Sequence, residues 1–267
     1  YIACGIDPEK STIVIQSHVP QHAELMWILN TITYMGELNR MTQFKDKTRE
    51  NSTNINAGLY NYPVLMASDI LIYQADLVPV GADQKQHLEL ARNLAIRFNA
   101  QYTETFVVPE PYILKSGSRI MSLQDPKKKM SKSDKNLNNL IALLDEPDII
   151  RKKVKRAVTD SGSVIRYDKS QPGISNLVSM YALIADKSHQ EIEKIFEDKM
   201  YSDFKVALGD IMVDFLSPMQ KKYTELIKDK AYLESVLFNG AENAYYRARK
   251  TLSKVYRKVG FVPSKSV

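Results

Sequence analysis

The fold is decided by residues 77–98, which read LVPVGADQKQHLELARNLAIRF. Residues 77–80 are all apolar and run to Gly81, a pattern typical of a short strand that ends on glycine. Beyond Lys85 the apolar residues recur at helical spacing, in a stripe of Leu88, Ala91, Leu94, Ala95 and Phe98. A strand followed by a helix is the repeating unit of a parallel α/β sheet. We therefore predict such a sheet, with residues 81–84 at the carboxyl end of a strand, where ligands of these sheets bind.

The residues on either side of this stretch continue the alternation of strands and helices. Residues 12–15 (TIVI) and residues 120–123 (IMSL) are further strand candidates. Helices are predicted over residues 22–35, opened by Pro20, and over residues 62–75. The first of these helices is apolar nearly all round, which is typical of a helix in a core or at a subunit interface.

Only helices are predicted from Ser175 to the end of the chain. Helix starts are indicated at residues 188–191, which have the spacing of a capping box, and at residues 202–203 and 217–218. We place a change of domain near residues 160–172, and divide the chain into residues 1–160 and residues 161–267.

The composition of the 267-residue chain excludes several classes of protein. The single cysteine, Cys4, permits neither an internal disulfide framework nor a cysteine-cluster metal site. No apolar run is long enough to span a bilayer, and no signal-peptide pattern stands at the start, so we predict a cytoplasmic protein without a membrane partner. The net charge of +6 is compatible with nucleic acid as a partner, although charge alone decides little.

A lysine-rich loop, residues 125–134 (DPKKKMSKSD), directly follows the last strand candidate. Lysines crowded on one loop repel one another, and a multiply charged phosphate is a ligand that compensates this repulsion. A solvated charged loop is the alternative for any lysine cluster. Residues 129–133 read KMSKS, which is identical to a motif of class I aminoacyl-tRNA synthetases, and this order favours the binding of a phosphate.

Two aspartates allow both a structural and a functional interpretation. Asp83, in the turn after the strand, can cap the next helix or accept hydrogen bonds from ribose hydroxyls. Asp69 lies in an otherwise apolar stretch, where an unpaired carboxylate is costly. Its partner is either an internal salt bridge or backbone group, or a donor on a substrate. Met66 precedes it by three residues and shares its helix face.

These segments together resemble bacterial-type tryptophanyl-tRNA synthetases, which are class I aminoacyl-tRNA synthetases. The resemblance extends over nearly the whole chain. Its specific stretches are residues 36–47, 62–69, 78–87, 129–133, 157–161, 165–168 and 172–177. The stretches that follow the KMSKS motif separate this family from its nearest relative, the tyrosyl enzymes.

The resemblance implies a tryptophan site. Asp69 would accept a hydrogen bond from the indole N–H, while Tyr62 and Gln84 would hold the α-amino group. The indole pocket would be lined by Met66, Val78 and Val80.

The resemblance also implies an ATP site. The ribose would contact Gly81, Ala82 and Asp83, and the adenine side would contact Ile120. The triphosphate would be bound by Lys129, Met130, Ser131, Lys132 and Ser133. The catalytic residues among these would be Lys129, Ser131 and Lys132, assisted by Lys45 and Lys47. Family members often carry an acidic residue in place of Ala82, and a contact made by the backbone there survives this difference.

The fold and reaction that the resemblance implies are those of a tryptophan–tRNA ligase. The fold would be a Rossmann-like doubly wound parallel sheet, followed by an all-helical C-terminal domain whose last helix packs back on the sheet domain. The enzyme would activate tryptophan with ATP and Mg²⁺ and load it onto tRNA(Trp), as a homodimer with no tightly bound cofactor or metal. The basic last helix, with Arg247 and Lys254, would contact tRNA phosphates unless it is only a solvated helix face.

One motif of the family is missing from the sequence. None of the four histidines, His18, His22, His87 and His189, is followed by the x-Gly-His/Asn pattern of the HIGH motif. The family carries this motif in its first strand–helix unit, so we expect it to precede Tyr1 in a longer chain. The alternatives are a tyrosyl-tRNA synthetase and a non-catalytic relative that binds tryptophan or tRNA.

Overall fold

The structure of the chain is a computed structural model that describes residues 1–42, 44–45, 55–112 and 119–262. The described residues form two compact units. The sheet unit comprises the described residues within 7–115 and 231–267, and the helical unit comprises residues 1–6 and the described residues within 116–230. The last helix belongs with the sheet unit, while the residues described between 116 and 160 belong with the helical unit.

The helices whose bounds lie in the described residues are, in chain order, α1 (Gln21–Asn30), α2 (Met35–Asn39), α3 (Ala57–Leu71), α4 (Lys85–Gln101), α5 (Pro147–Arg156), α6 (Pro172–Ala185), α7 (His189–Ile195), α8 (Tyr201–Leu226) and α9 (Lys230–Val259). The strands are β1 (Leu77–Pro79) and β2 (Glu110–Tyr112). In the described part of the chain, no helix is both long enough and apolar enough to cross a membrane.

The sheet unit contains a β–α–β element made of β1, α4 and β2. The two strands pair in parallel, with Leu77 opposite Glu110 and Pro79 opposite Tyr112. Parallel neighbours need a crossover connection, which α4 provides. The apolar stripe of α4 is buried along its whole length. The strand and helix predicted in residues 77–98 are therefore confirmed, and the helix continues to Gln101.

One hydrophobic core holds the sheet unit together, and α1, α3, α4 and α9 contribute to it. The last helix supplies a row at intervals of three or four residues, Ala244, Ala248, Leu252 and Val255. Nearer the N-terminus of the same helix, a Cβ on Gly240 would lie 1.9 Å from the carbonyl oxygen of Ile13. Glycine therefore lets residues 12–15 lie directly on the helix backbone.

In the sheet unit, one predicted strand is wrong and one predicted helix is shorter than expected. The described residues 12–15 form no strand, because their backbone lies against α9 at Gly240. A short β-branched run can be covered by a helix as well as by a neighbouring strand. The helix predicted over residues 22–35 ends at Asn30. There the hydroxyls of Thr31 and Thr33 donate to helix carbonyls at 2.7 Å and close the last turn.

In the helical unit, α5 to α8 surround a second hydrophobic core that includes the fully buried Phe204. The capping box predicted at residues 188–191 is confirmed, since the two residues at its ends exchange hydrogen bonds. The helix start predicted at residues 217–218 is wrong, because Pro218 lies inside α8. The helix continues through this proline because its apolar face packs on the core on both sides, at Leu216 and Met219.

Candidate active site

Asp69 lies in α3 on the same helix face as Tyr62 and Met66. The three residues are spaced by four and three positions, so their side chains follow one stripe. Met66 is partly buried against the core of the sheet unit, and so are Val78 and Val80 at β1. The apolar residues expected to line an indole pocket therefore pack against one common core.

The Asp69 carboxylate is held by two side chains from the start of the chain. Gln16 Nε2 donates to Oδ1 at 2.9 Å and to Oδ2 at 2.7 Å. The Nδ1 atom of His22 lies 2.6 Å from Oδ1, and its Nε2 atom lies 2.7 Å from the hydroxyl of Tyr73. His22 is buried, whereas the Asp69 side chain is 33% exposed. The carboxylate is thus fixed on one side and open on another.

The directions of these hydrogen bonds follow from the carboxylate, which only accepts. His22 Nδ1 must therefore carry a hydrogen, and its Nε2 shares a hydrogen bond with the hydroxyl of Tyr73. Burial, together with the negative charge of Asp69, raises the pKa of Tyr73 to about 12, so its hydroxyl stays a donor at neutral pH. Among the described residues, Oδ2 accepts only from Gln16, so a lone pair remains for a further donor.

The residues expected to hold an α-amino group have hydrogen-bond partners within the sheet unit. The Tyr62 hydroxyl lies 3.0 Å from His87 Nε2, and burial raises the pKa of Tyr62. Gln84 Nε2 donates to Asp83 Oδ2 at 2.8 Å. The other polar atom of the Gln84 side chain is its amide oxygen. An amide oxygen is an acceptor, which is what an ammonium group requires.

The turn between β1 and α4 places its backbone and one carboxylate at the surface. Gly81 is extended, and the 3-10 turn Ala82–Gln84 follows, closed by a 3.0 Å bond from Gln84 N–H to the Gly81 carbonyl. A Cβ on Gly81 would lie 2.8 Å from Asp83 Oδ1, so glycine leaves room for this exposed carboxylate. The N-cap position of α4 is Gln84 and not Asp83.

In the helical unit, residues 120–130 fold into a hairpin, here named the lysine hairpin. The strand predicted over residues 120–123 is wrong, since it is reduced to an isolated antiparallel bridge between Met121 and Lys129. Two backbone bonds flank this bridge, Ser122 N–H to Lys128 O at 2.8 Å and Met130 N–H to Ile120 O at 3.0 Å. The first arm of the hairpin, residues 120–123, thus pairs with the returning arm, residues 128–130. It does not pair with a neighbour in a parallel sheet.

The lysine hairpin separates apolar anchors from exposed polar groups. Ile120 and Met130 are partly buried against the core of the helical unit. The side chains on either side of Met130 are exposed. They are Lys129 in the hairpin and, directly after it, Ser131, Lys132 and Ser133. The hydroxyls of the two serines lie 3.0 Å apart. Two lysines and two hydroxyls are therefore available to an anionic ligand, and Met130 fixes the loop that carries them.

The turn after the KMSKS residues contains a carboxylate that stays ionised. Asp134 accepts from the side-chain amide of Asn139 at 2.8 Å and from Asn136 N–H at 2.9 Å. These hydrogen bonds, that of Asn139 first, hold the pKa of Asp134 below its usual range. The lysines are thus followed by a fixed negative charge that limits where an anion can bind.

The other predicted residues lie away from these groups in sequence. Lys45 is exposed, with its N–H 3.1 Å from the Met41 carbonyl, and Lys47 lies outside the described residues. Arg247 and Lys254 are both exposed on α9, seven positions apart. Their spacing corresponds to two helical turns, so they share one face.

Comparison with known proteins decides the family. The sequence model of the family "tRNA synthetases class I (W and Y)" matches residues 1–217. The tryptophan–tRNA ligase of Clostridium tetani is 55% identical over 265 residues, which cover 99% of this chain and 78% of that enzyme. The chain belongs to the class I tryptophanyl-tRNA synthetases.

Solved structures of tryptophanyl-tRNA synthetases share this fold. The enzyme of Mycoplasma pneumoniae is 37% identical with a TM-score of 0.85, over 98% of this chain and 80% of that chain. The Campylobacter jejuni enzyme, in complex with ADP and tryptophan, is 33% identical with a TM-score of 0.84, over 97% and 80% of the two chains. The predicted Rossmann-like fold class is confirmed by these neighbours.

Sequence reasoning missed the residues that hold Asp69. In the sequence, His22 is marked only as one of the four histidines that lack the HIGH pattern. A histidine in a nearly apolar helix needs a hydrogen-bond partner when it is buried, and this signal marks His22 without naming the partner. Gln16 and Tyr73 gave no comparable signal.

Proposed function

We propose that the protein activates L-tryptophan with ATP to tryptophanyl-adenylate and then transfers the tryptophan to tRNA(Trp). The observation that carries this proposal is the 55% identity to a tryptophan–tRNA ligase along 99% of the chain. The groups that the reaction needs also support it. Asp69 lies beside apolar residues in the sheet unit. Of the exposed KMSKS lysines, Lys129 lies on the lysine hairpin and Lys132 lies just after it.

Tryptophan is selected through its indole N–H, which donates to Asp69. Gln16 and His22 hold the carboxylate in place before the substrate arrives, so little reorganisation accompanies binding. An analogue without this N–H leaves a desolvated carboxylate short of a donor and is rejected. The acceptors for the α-ammonium group are the oxygens of Tyr62 and Gln84.

In the activation step, the tryptophan carboxylate attacks the α-phosphorus of MgATP and the bond to the pyrophosphate oxygen breaks. This displacement needs no protein nucleophile, and its rate depends on positioning and on stabilising the charge of the phosphates. Lys129 and Lys132 supply that charge, and the hydroxyl of Ser131 donates a hydrogen bond. The Mg²⁺ ion enters as part of the nucleotide substrate. The ribose contacts Gly81, Ala82 and Asp83 of the sheet unit.

In the transfer step, a hydroxyl of the terminal ribose of tRNA attacks the adenylate carbonyl, and AMP leaves. The exposed Arg247 and Lys254 of α9 contact tRNA phosphates. The protein acts in the cytoplasm as a homodimer. The dimer is supported by Trp27 of α1, a large aromatic side chain that is 69% exposed and of a type enriched in interfaces.

The test is aminoacylation of tRNA(Trp) by the purified protein with MgATP and either tryptophan or tyrosine. We expect charging with tryptophan alone, and a product ester that is stable to acid and lost in alkali. Lys129→Ala should lower the activation rate about 100-fold, the effect of removing one group that stabilises transition-state charge. Lys127→Ala, at an exposed lysine of the same hairpin outside the motif, is the matched control and should change little. Charging with tyrosine would contradict the proposal.

A further inference from the structure

Asn176, in the family-specific stretch 172–177, reaches the lysine hairpin. It lies in α6, is 6% exposed, and forms a pair of hydrogen bonds with the backbone of Met121. Its Nδ2 atom donates to the Met121 carbonyl at 2.9 Å, and the Met121 N–H donates to Oδ1 at 2.9 Å. One amide side chain thus satisfies both peptide groups of one residue, as a neighbouring strand would.

Met121 is the residue of the lysine hairpin that lies opposite Lys129. In extended backbone, the peptide groups of successive residues point to opposite sides. Ile120 and Ser122 use theirs to bond the returning arm, which carries Lys129. The peptide groups of Met121 point the other way and are bound by Asn176. A single residue therefore connects the first lysine of the KMSKS motif to α6.

The start of α6 is itself fixed by the segment that precedes it. Asp160 Oδ2 accepts from Ile174 N–H at 3.1 Å, at the first turn of the helix. A Cβ on Gly173 would lie 2.9 Å from the carbonyl oxygen of Val158, so only glycine permits this approach. Val158 N–H in turn donates to the carbonyl of Leu123, in the first arm of the lysine hairpin, at 2.8 Å. The helix and this arm thus share a rigid support.

We infer that Asn176 is a positioning residue, which holds the lysine hairpin on α6 so that Lys129 meets the phosphates of MgATP in a fixed geometry. This inference rests on the proposed function of the KMSKS lysines. It gives the stretch 172–177 a role in nucleotide chemistry, although Asn176 contacts the backbone of the hairpin and no lysine side chain. Tryptophan binding at Asp69 should not depend on it, since the partners of that carboxylate all lie in the sheet unit.

The first experiment compares Asn176→Asp with a matched control. Aspartate keeps the shape and the acceptor for Met121 N–H, but it cannot donate to the Met121 carbonyl. The control is Asn99→Asp, because the Asn99 side chain binds Phe106 in the same paired manner within the sheet unit, at 2.8 and 2.9 Å. The measurements are amide hydrogen exchange of residues 120–130 and the kcat and KM of tryptophan-dependent ATP–pyrophosphate exchange.

For Asn176→Asp we expect amide exchange in the lysine hairpin to accelerate at least tenfold, at Ser122 and Met130 above all. The kcat should fall about 10- to 100-fold, the cost of a catalytic group misplaced by about 1 Å. The KM for tryptophan should stay the same. Asn99→Asp should change neither the hairpin exchange nor kcat, whatever its effect on stability.

The second experiment combines Asn176→Asp with Lys129→Ala. If Asn176 acts through Lys129, the double variant should be no slower than Lys129→Ala alone, because the misplaced group is already absent. If the decrease in kcat of the double variant equals the product of the decreases in the two single variants, the inference is overturned. So would unchanged hairpin exchange in Asn176→Asp.

Failure of the proposed function is distinguishable from failure of this inference. A wild-type protein without tryptophan-dependent exchange would contradict the function, while amide exchange would still decide whether Asn176 holds the hairpin. If Asn176→Asp does not fold, Asn176→Gln replaces it, since it keeps both amide groups and moves them by one methylene. We then expect a smaller acceleration of hairpin exchange with a matching smaller loss of kcat, and no change in either would overturn the inference.

Discussion

Replacing Asp69 with asparagine changes one atom of the side chain and removes its charge. In the structure, Oδ1 accepts from His22 and Gln16, and Oδ2 accepts from Gln16 at 2.7 Å. Asparagine has one oxygen, which can replace Oδ1 and keep the bond from His22. Its NH₂ group then faces two donors, the Gln16 amide and the indole N–H. In the flipped orientation the NH₂ group faces His22 instead, so neither orientation satisfies every group.

The size of the effect follows from the charge of the acceptor. A hydrogen bond to a charged group contributes about 1.5–3 kcal/mol. Because 33% of the Asp69 side chain is exposed, solvent screens part of this interaction. We therefore expect the hydrogen bond from the indole N–H to the charged carboxylate to contribute about 2 kcal/mol. Its loss corresponds to a decrease of about 30-fold in kcat/KM for tryptophan.

The assay isolates the indole N–H by using two substrates. ATP–pyrophosphate exchange is measured with tryptophan and with β-(benzothiophen-3-yl)alanine, which has a similar shape but sulfur in place of N–H. The wild-type protein should prefer tryptophan by about 30-fold in kcat/KM, and Asp69→Asn should lose most of this preference. Asp214→Asn, at an exposed aspartate of α8, is the control and should keep it. An equal preference in wild type and Asp69→Asn would refute the assignment of Asp69 to the indole N–H.

Three further predictions concern the sheet unit and its last helix. Gly240→Ala should lower the free energy of unfolding by about 2 kcal/mol in urea denaturation, because the new Cβ would overlap the Ile13 carbonyl, and an unchanged midpoint would contradict this packing. Tyr73 has its pKa raised to about 12 in the folded state, so its contribution to stability is complete below its unfolded pKa near 10 and is lost as pH rises through 12. The alkaline decline in stability should therefore be shallower in Tyr73→Phe, and an identical decline would show that Tyr73 has no such role. Charge reversal at Arg247 and Lys254 should weaken tRNA charging and spare tryptophan activation, whereas loss of activation would mean that their role is structural.

Much of the fold could be predicted because its signals are local. The stripe of α4 repeats over several turns, and the strand before it ends at Gly81, so both elements could be recognised without a partner. Residues 12–15 carry an equally clear apolar pattern, but the pattern does not say what covers them. Their neighbour is Gly240, more than two hundred residues away, and only tertiary packing brings the two together.

The residues of the candidate site also fall into those that a local signal marks and those that only the folded chain brings together. The sequence marks Asp69 as a candidate because a carboxylate in an apolar helix needs a donor, and this depends only on its own surroundings. The donors themselves, Gln16 and His22, lie 53 and 47 residues earlier, and no local pattern connects them to it. Asn176 and Met121 are likewise 55 residues apart. The stretch 172–177 could be recognised as typical of a family, yet its contact with the lysine hairpin exists only in the folded chain.

The most direct measurement is ATP–pyrophosphate exchange by the purified protein, with tryptophan and tyrosine in parallel reactions. We propose that this chain belongs to an enzyme that selects tryptophan and activates it on ATP. We predict exchange that depends on tryptophan and stays at background with tyrosine. Exchange driven by tyrosine, or no exchange with either amino acid, would contradict the claim.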